Sequence, residues 1–227
     1  MRFQNIITAG IAVAVSAMYQ SAHAQITPIP PTAHETGGQM YPSHFVPWPP
    51  IKENDILKKR RLWEDISISG KNNKAFALAN GKSPLITVLA ECVNKGKIKA
   101  YGTQDDRFTH ALTTDEFQQI FTTKQPPGSR ISKYAIKEDS LFLNTGKATV
   151  RILAIAPVVA TTLTDGTIKE EPMFWVYYPD CRKYLSDYHI AGALTWDDLF
   201  ERQQFKGVIT RSTGSTPRPG NMPKTSH

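Results

Sequence analysis

The chain has 227 residues, 27 Lys and Arg against 20 Asp and Glu, and a formal charge of +7. A 40% apolar content supplies one globular core well above the size that needs disulfide stapling, and two cysteines exclude a disulfide framework. The first 24 residues carry one charge, Arg2, then an apolar stretch around Ile6–Ala17 and Ala22-His23-Ala24, the layout of a cleavable export signal with Gln25 as the mature N-terminus. No cysteine stands at that junction to carry a lipid anchor, and no other apolar run approaches the ~18–20 residues that span a bilayer. Export makes nucleic acid a poor partner for the basic charge. It favours anionic membrane surfaces, peptidoglycan or acidic proteins instead.

Residues 25–50 read as a proline-rich extended arm, with seven prolines and the aromatics Tyr41, Phe45 and Trp48 between them. The arm is either a flexible tether or a strap across a neighbouring subunit. A single domain follows over 51–211, and a polar Pro/Gly/Ser tail over 212–227 reads as disordered. Asn54-Asp55 can start a first helix through about Ile66, with Ile56, Trp63 and Ile66 on one side. Ser83-Pro84 starts a helix whose Leu85, Val88, Leu89 and Cys92 share the inner face, ending near Asn94–Gly96.

KIKAY (97–101) is a short strand, and Thr113-Thr114-Asp115-Glu116 is a capping box with Phe117, Ile120 and Phe121 behind it. Strands at 133–143 and 147–159 flank Asn144-Thr145-Gly146, whose glycine suits a hairpin loop. Asp165-Gly166 is a further turn, ahead of the aromatic strand Met173–Tyr178, which is apolar on both faces and therefore covered on both. A short helix over Asp180–Ser186 follows, then one opened by Thr195 with Trp196, Leu199 and Phe200 inward, then an edge strand KGVITR (206–211). This order gives an α+β class: a largely antiparallel sheet flanked by short helices.

Motifs for catalysis or cofactors are not found. Gly81-Lys82-Ser83 lacks the first glycine of a phosphate loop, since Phe76 stands there, and no cofactor is implied. Asp105, Asp106 and His110 read as cap and turn residues before a metal site. Cys181 with His189 is the alternative reading, an exported thiol-dependent hydrolase, because Cys181 opens a helix beside Arg182. It lacks a visible orienting residue and oxyanion site. Cys92 and Cys181 stand 89 positions apart in an oxidising compartment, and whether they pair is open.

RLWEDI (61–66), GKIKAY (96–101), ISKYAIKEDSLF (131–142), RILAIAPV (151–158), FWVYYPDCR (174–182) and LTWDDLFERQQF (194–205) occur in the order of one family. In these segments the chain resembles the GldN/PorN family of the Bacteroidetes type IX secretion and gliding-motility machinery. It departs from the family's pattern in lacking acids over Ser67–Ala79 and in holding Ser140 where a tryptophan is common. The resemblance implies a non-enzymatic periplasmic subunit that associates with an outer-membrane lipoprotein, GldK/PorK, and self-associates in a ring. It further implies coupling to the GldM/PorM motor component and membrane association only through a partner. Phe45, Trp48, Tyr41, Trp63, Trp175 and Tyr177 are the expected partner-contact residues.

Overall fold

The computed structural model describes residues 45–77, 84–124, 130–192 and 194–214. The export signal, Tyr41, Ser83 and the tail beyond Gly214 lie outside them. The fold is α+β. Strands β1 (Ile56–Ser67), β2 (Ala100–Tyr101), β3 (Arg130–Leu143), β4 (Ala148–Thr162), β6 (Trp175–Tyr177) and β9 (Val208–Thr213) form an antiparallel sheet in the order β2-β6-β4-β3-β1-β9. Strand β5 (Ile168–Pro172) pairs with the far end of β4, and β7 (His189–Ala191) and β8 (Leu194–Thr195) form a separate ribbon.

The helix expected over 54–66 is a strand. Only Glu53–Asp55 makes a helical turn, and β1 then runs twelve residues between β3 and β9. The apolar spacing of Trp63 and Ile66 fits a helix, but only Ile66 of this element is fully buried. Arg61 and Trp63 instead lie opposite Asp139 and Lys137, partners that only the sheet supplies. Cross-strand pairing overrides a local pattern this weak.

Most of the remaining elements follow their local signals, although Pro84 is the N-cap of the next helix rather than its first residue and the strand expected over 97–101 is only Ala100–Tyr101. Helix α1 (Leu85–Asn94) buries Leu85, Val88, Leu89 and Cys92. It closes with the Gly96 N–H donating to the Val93 carbonyl and the Lys97 N–H to the Cys92 carbonyl, while Gly96 takes φ +65°. That pair of bonds needs a left-handed residue, which glycine adopts without steric cost. Helix α2 (Thr114–Thr123) opens on the Thr113/Glu116 capping box, and α4 (Trp196–Glu201) on its counterpart Thr195/Asp198. Each box satisfies two amide donors that would otherwise lack partners. The β3–β4 hairpin turns through Gly146 at φ +78°.

Helices α1, α2, α3 (Tyr178–Leu185) and α4 contribute to one large core cluster with Ile66, Tyr134, Ile136, Ile155 and Val176 of the sheet. A second, smaller cluster joins Ala154, Ala156 and Trp175 to Tyr101, Phe108 and Ala135. The short strand β6 therefore is covered on both faces by its own chain. Val176 enters the helical core, whereas Trp175 and Tyr177 meet Phe108 and its neighbours from the loop after β2. Phe108 holds φ +59°, a conformation that costs a non-glycine residue about 1 kcal/mol, and its ring lies 5.3 Å from Tyr101 and 5.5 Å from Tyr177.

Two terminal boundaries shift inward and outward respectively. Phe45–Pro50, the end of the proline-rich arm, lies on the domain, and β9 takes in Ser212 and Thr213, which the sequence assigned to a disordered tail.

Candidate partner-binding surfaces

The six expected contact residues separate into two places, apart from Tyr41, which falls outside the described residues. Phe45 and Trp48 meet the α3–α4 side. Trp63, Trp175 and Tyr177 lie on the sheet face that carries the smaller cluster.

The first place is built from PDCR and TWDDLFE. Proline at the first turn and Asp180 beside it start α3 and set Arg182 on its buried side. The Thr195 capping box sets Asp197 and Glu201 on α4. Arg182 Nε donates to Asp197 Oδ1 at 3.0 Å and Nη2 to Oδ2 at 3.2 Å, with a further contact to Glu201 at 3.1 Å. The Tyr178 hydroxyl lies 2.9 Å from Asp197 and 3.1 Å from Glu201, two acceptors for its single proton. Burial alone would lower the Arg182 guanidinium pKa, but Asp197 and Glu201 outweigh it and the net shift is upward.

Onto this network the arm is seated. Trp48 Nε1 donates to Glu201 Oε2 at 2.5 Å, and the guanidinium of Arg182 sits 4.9 Å from the Trp48 ring and 5.1 Å from the Phe45 ring. Arg151 covers Trp48 from β4 at 4.5 Å and donates to the Pro49 carbonyl at 3.3 Å. One fork of donors thus binds two helices together and presents a cationic plate to two aromatic rings. The last residues of the arm are a strap on their own domain, and the seat fixes where the arm joins it.

The seat makes a direct expectation about truncation. The comparison is between a chain that begins at Phe45 and one that begins at Ile51. Removing residues through Pro50 strips Phe45 and Trp48 from the network and is expected to cost about 2 kcal/mol, lowering Tm by roughly 4–8 °C. Equal Tm values for the two truncations in differential scanning calorimetry would refute the seat.

The second place is the opposite face of the sheet. A row of residues crosses it in register: Arg211 of β9, Trp63 of β1, Lys137 of β3, Ala154 of β4 and Tyr177 of β6. The Trp63 ring lies between two cations, Arg211 at 3.6 Å and Lys137 at 5.8 Å from its centroid. Its Nε1 donates to Asp106 Oδ2 at 2.6 Å, and Arg211 reaches the same oxygen at 2.9 Å. Lys137 bonds to the Asp106 backbone carbonyl and stands 3.5 Å from its carboxylate. Burial would raise the Asp106 carboxyl, but Trp63, Lys137 and Arg211 together hold it below the ordinary range.

Two residues further along each strand, on the same face, Arg61 grips Asp139 through two bonds of 2.7 and 2.8 Å, with Lys59 at 2.7 Å from the same carboxylate. Asp139 is buried, which pushes its carboxyl up, yet the two cations prevail and lower it. Lys59, Arg61, Trp63, Asp106, Arg107, Lys137 and Arg211 line a groove of about 520 Å³ with Thr213 and Gly214 at its rim. A second hollow of about 530 Å³ shares Trp63, Asp106, Arg107 and Arg211 and extends to Trp175 and Pro172.

Asp105 and Asp106 are engaged as turn and clamp residues: Asp105 accepts from the Arg107 N–H and the Thr109 hydroxyl, both at 2.8 Å. The described residues hold no group of three or more His, Cys, Asp or Glu side chains able to bind a metal.

Cys92 and Cys181 are both buried in the helical core as free thiols. The Cys181 thiol donates to the Tyr177 carbonyl at 3.2 Å. Burial pushes its pKa well up, with the neighbouring Cys92 adding to the shift, and burial raises Cys92 too. A nucleophilic cysteine needs the reverse, an accessible thiol with a lowered pKa. His189 is exposed on β7, whereas Cys181 is 1% exposed, so the alternative of a Cys181–His189 hydrolase finds no support in their placement.

The segments PDCR and TWDDLFE thus have a structural meaning, an ion-pair network joining two helices, and they extend over a region with a family counterpart. The family described as gliding motility associated protein GldN matches residues 51–222. The chain belongs to the GldN family. GldN is a gliding-motility-associated structural family and is not known for enzymatic activity. No curated protein matches the chain.

The match begins at Ile51, immediately after the seated arm, and takes in every strand of the sheet and the four α-helices among the described residues. In this GldN-family chain, sequence reading missed Lys59, Arg61, Lys137, Arg182, Asp197 and Arg211 as site residues. The signal available for the sheet residues was the Lys-Glu-Asp run between the apolar stretches Tyr134–Ile136 and Leu141–Leu143, where charges flanked by core residues call for partners.

Proposed function

We propose that the chain is a non-enzymatic structural subunit of the type IX secretion and gliding-motility apparatus. It is exported, with its signal cleaved after Ala24, and acts in the periplasm at the inner face of the outer membrane. An outer-membrane lipoprotein of the GldK/PorK kind holds it there, many copies self-associate in a ring, and the ring couples to a motor component of the GldM/PorM kind.

The match to the GldN family over residues 51–222 carries this reading. Three further features support it. The first 24 residues have the layout of an export signal without a lipidation cysteine. Among the described residues no helix is long and apolar enough to cross a membrane, which is consistent with attachment through a partner. The Cys181 thiol, the sequence's best candidate nucleophile, is buried and held protonated.

Co-expression of the chain with its lipoprotein partner tests the proposal. Co-purification from detergent-extracted membranes is expected to yield very large annular particles in negative-stain microscopy. Monomers that never co-purify with the lipoprotein from matched cells would overturn it.

A further inference from the structure

We infer that the groove around Trp63 and Arg211 is a docking site for an acidic, extended segment of a partner protein. Five cations, Lys59, Arg61, Arg107, Lys137 and Arg211, line it together with two carboxylates, Asp105 and Asp106, while a third, Asp139, is buried against Arg61 and Lys59. The surplus is positive. The carboxylates are also spent: Asp105 within its own loop, Asp106 on Trp63, Arg211 and Lys137, and Asp139 on Arg61 and Lys59. Arg107 and Arg211, by contrast, keep exposed guanidinium groups at the rim, Arg211 with 59% of its side chain accessible.

The segments of the chain outside the described residues offer little complementary charge. The stretches outside the described residues, 1–44, 78–83, 125–129 and 215–227, contain a single acid, Glu35, and the last of them is basic through Arg218 and Lys224. The anion must come from another molecule.

The shape and the donors favour a peptide carboxylate over a lipid surface. The site is concave, and its arginines are oriented before any ligand arrives, Arg211 by stacking on Trp63 and bonding to Asp106, Arg61 by its two bonds to Asp139. Planar guanidinium groups held in this way match the two oxygens of a carboxylate, whereas a membrane surface is met best by flat, flexible lysine-rich patches. Strand β9 lies at the rim and at the end of the sheet order, so its outer edge offers main-chain donors and acceptors to an extended segment. Trp63 in both hollows and the edge of Trp175 in the second supply apolar surface.

The test uses the full mature chain and a fluorescein-labelled peptide of alternating glutamate and serine, read by fluorescence anisotropy, beside flotation with phosphatidylglycerol vesicles. Saturable peptide binding that weakens as salt is raised is expected. An Arg107→Ala/Arg211→Ala variant is expected to bind about tenfold more weakly or worse. A control variant, Lys147→Ala/Lys183→Ala, removes equal charge at exposed positions outside the groove and should bind like the parent. Circular dichroism of both variants checks that each is folded. Absent peptide binding, equal weakening in the control, or flotation with vesicles without peptide binding would each overturn the proposal. Because the peptide assay requires no lipoprotein and no ring, its failure is separable from failure of the assembly reading.

Discussion

Asp197→Ala is expected to destabilise the domain by about 3–5 kcal/mol, the largest loss for any single substitution at the α3–α4 seam. The reason is what it leaves behind. Arg182, with 5% of its side chain exposed, keeps its charge but loses the fork that matches it, and the Tyr178 hydroxyl loses its shorter acceptor. Glu201, at 3.1 Å, remains as the single carboxylate for both. Urea unfolding followed by far-ultraviolet circular dichroism measures the difference. The double variant Arg182→Met/Asp197→Leu is expected to recover much of it, since removing both charges removes the desolvation penalty with them. A single-variant loss below about 1 kcal/mol would show that the pair behaves like an exposed surface bridge. The arm should respond as well: in the double variant, where Arg182 is absent, Trp48 loses part of its cationic seat.

Glu138→Gln is expected to act in the opposite direction, stabilising the protein at pH 8 by about 2–3 kcal/mol. Glu138 lies on the helical side of β3, 5% exposed, and its Oε2 has no hydrogen-bond partner among the described residues. Burial, with the charge of Glu64 in second place, raises its pKa to about 7. Glu64 is itself pushed up by burial, against the N–H of Gly207, which favours its charged form.

A carboxyl raised in the folded state binds its proton more tightly folded than unfolded. Its contribution is therefore favourable to folding below the unfolded pKa of about 4.5, and it is progressively lost as pH rises from there to about 7. The gain from Glu138→Gln should accordingly shrink towards zero near pH 4 and level off above about pH 8. Parallel urea titrations of parent and variant at pH 4, 6 and 8 measure it. A pH-independent difference would show that the charge is not what destabilises the parent.

These two sites show opposite solutions to the same problem. Arg182 and Asp197 are buried with partners on every side, so each is costly only when the other is removed. Glu138 is buried with its charge unmatched, so it is costly while it is intact. The residues adjacent to each in the chain carry no hint of the difference. Both Asp197 and Glu138 look like ordinary acids in amphipathic elements until neighbouring strands and helices are placed around them.

The same contrast runs through the fold. Local chemistry alone determined the capping boxes at Thr113 and Thr195, the glycine turns at Gly146 and Gly166, the helix end at Gly96 and the buried faces of α1 and α4, because each depends on residues within one or two turns of the chain. The family-matching segments were equally legible, since they are contiguous. Strand β1 was not. Its Lys-Lys-Arg-Arg run and spaced apolar residues fit an amphipathic helix, and what makes it a strand is Asp139 and Lys137 some 78 and 74 positions away. The groove, the arm's seat and the burial of Cys181 share that origin. Each arises from groups far apart in sequence that the antiparallel sheet and the α3–α4 pair bring within a few ångströms, and burial, which sets their charges and their energies, exists only once they meet.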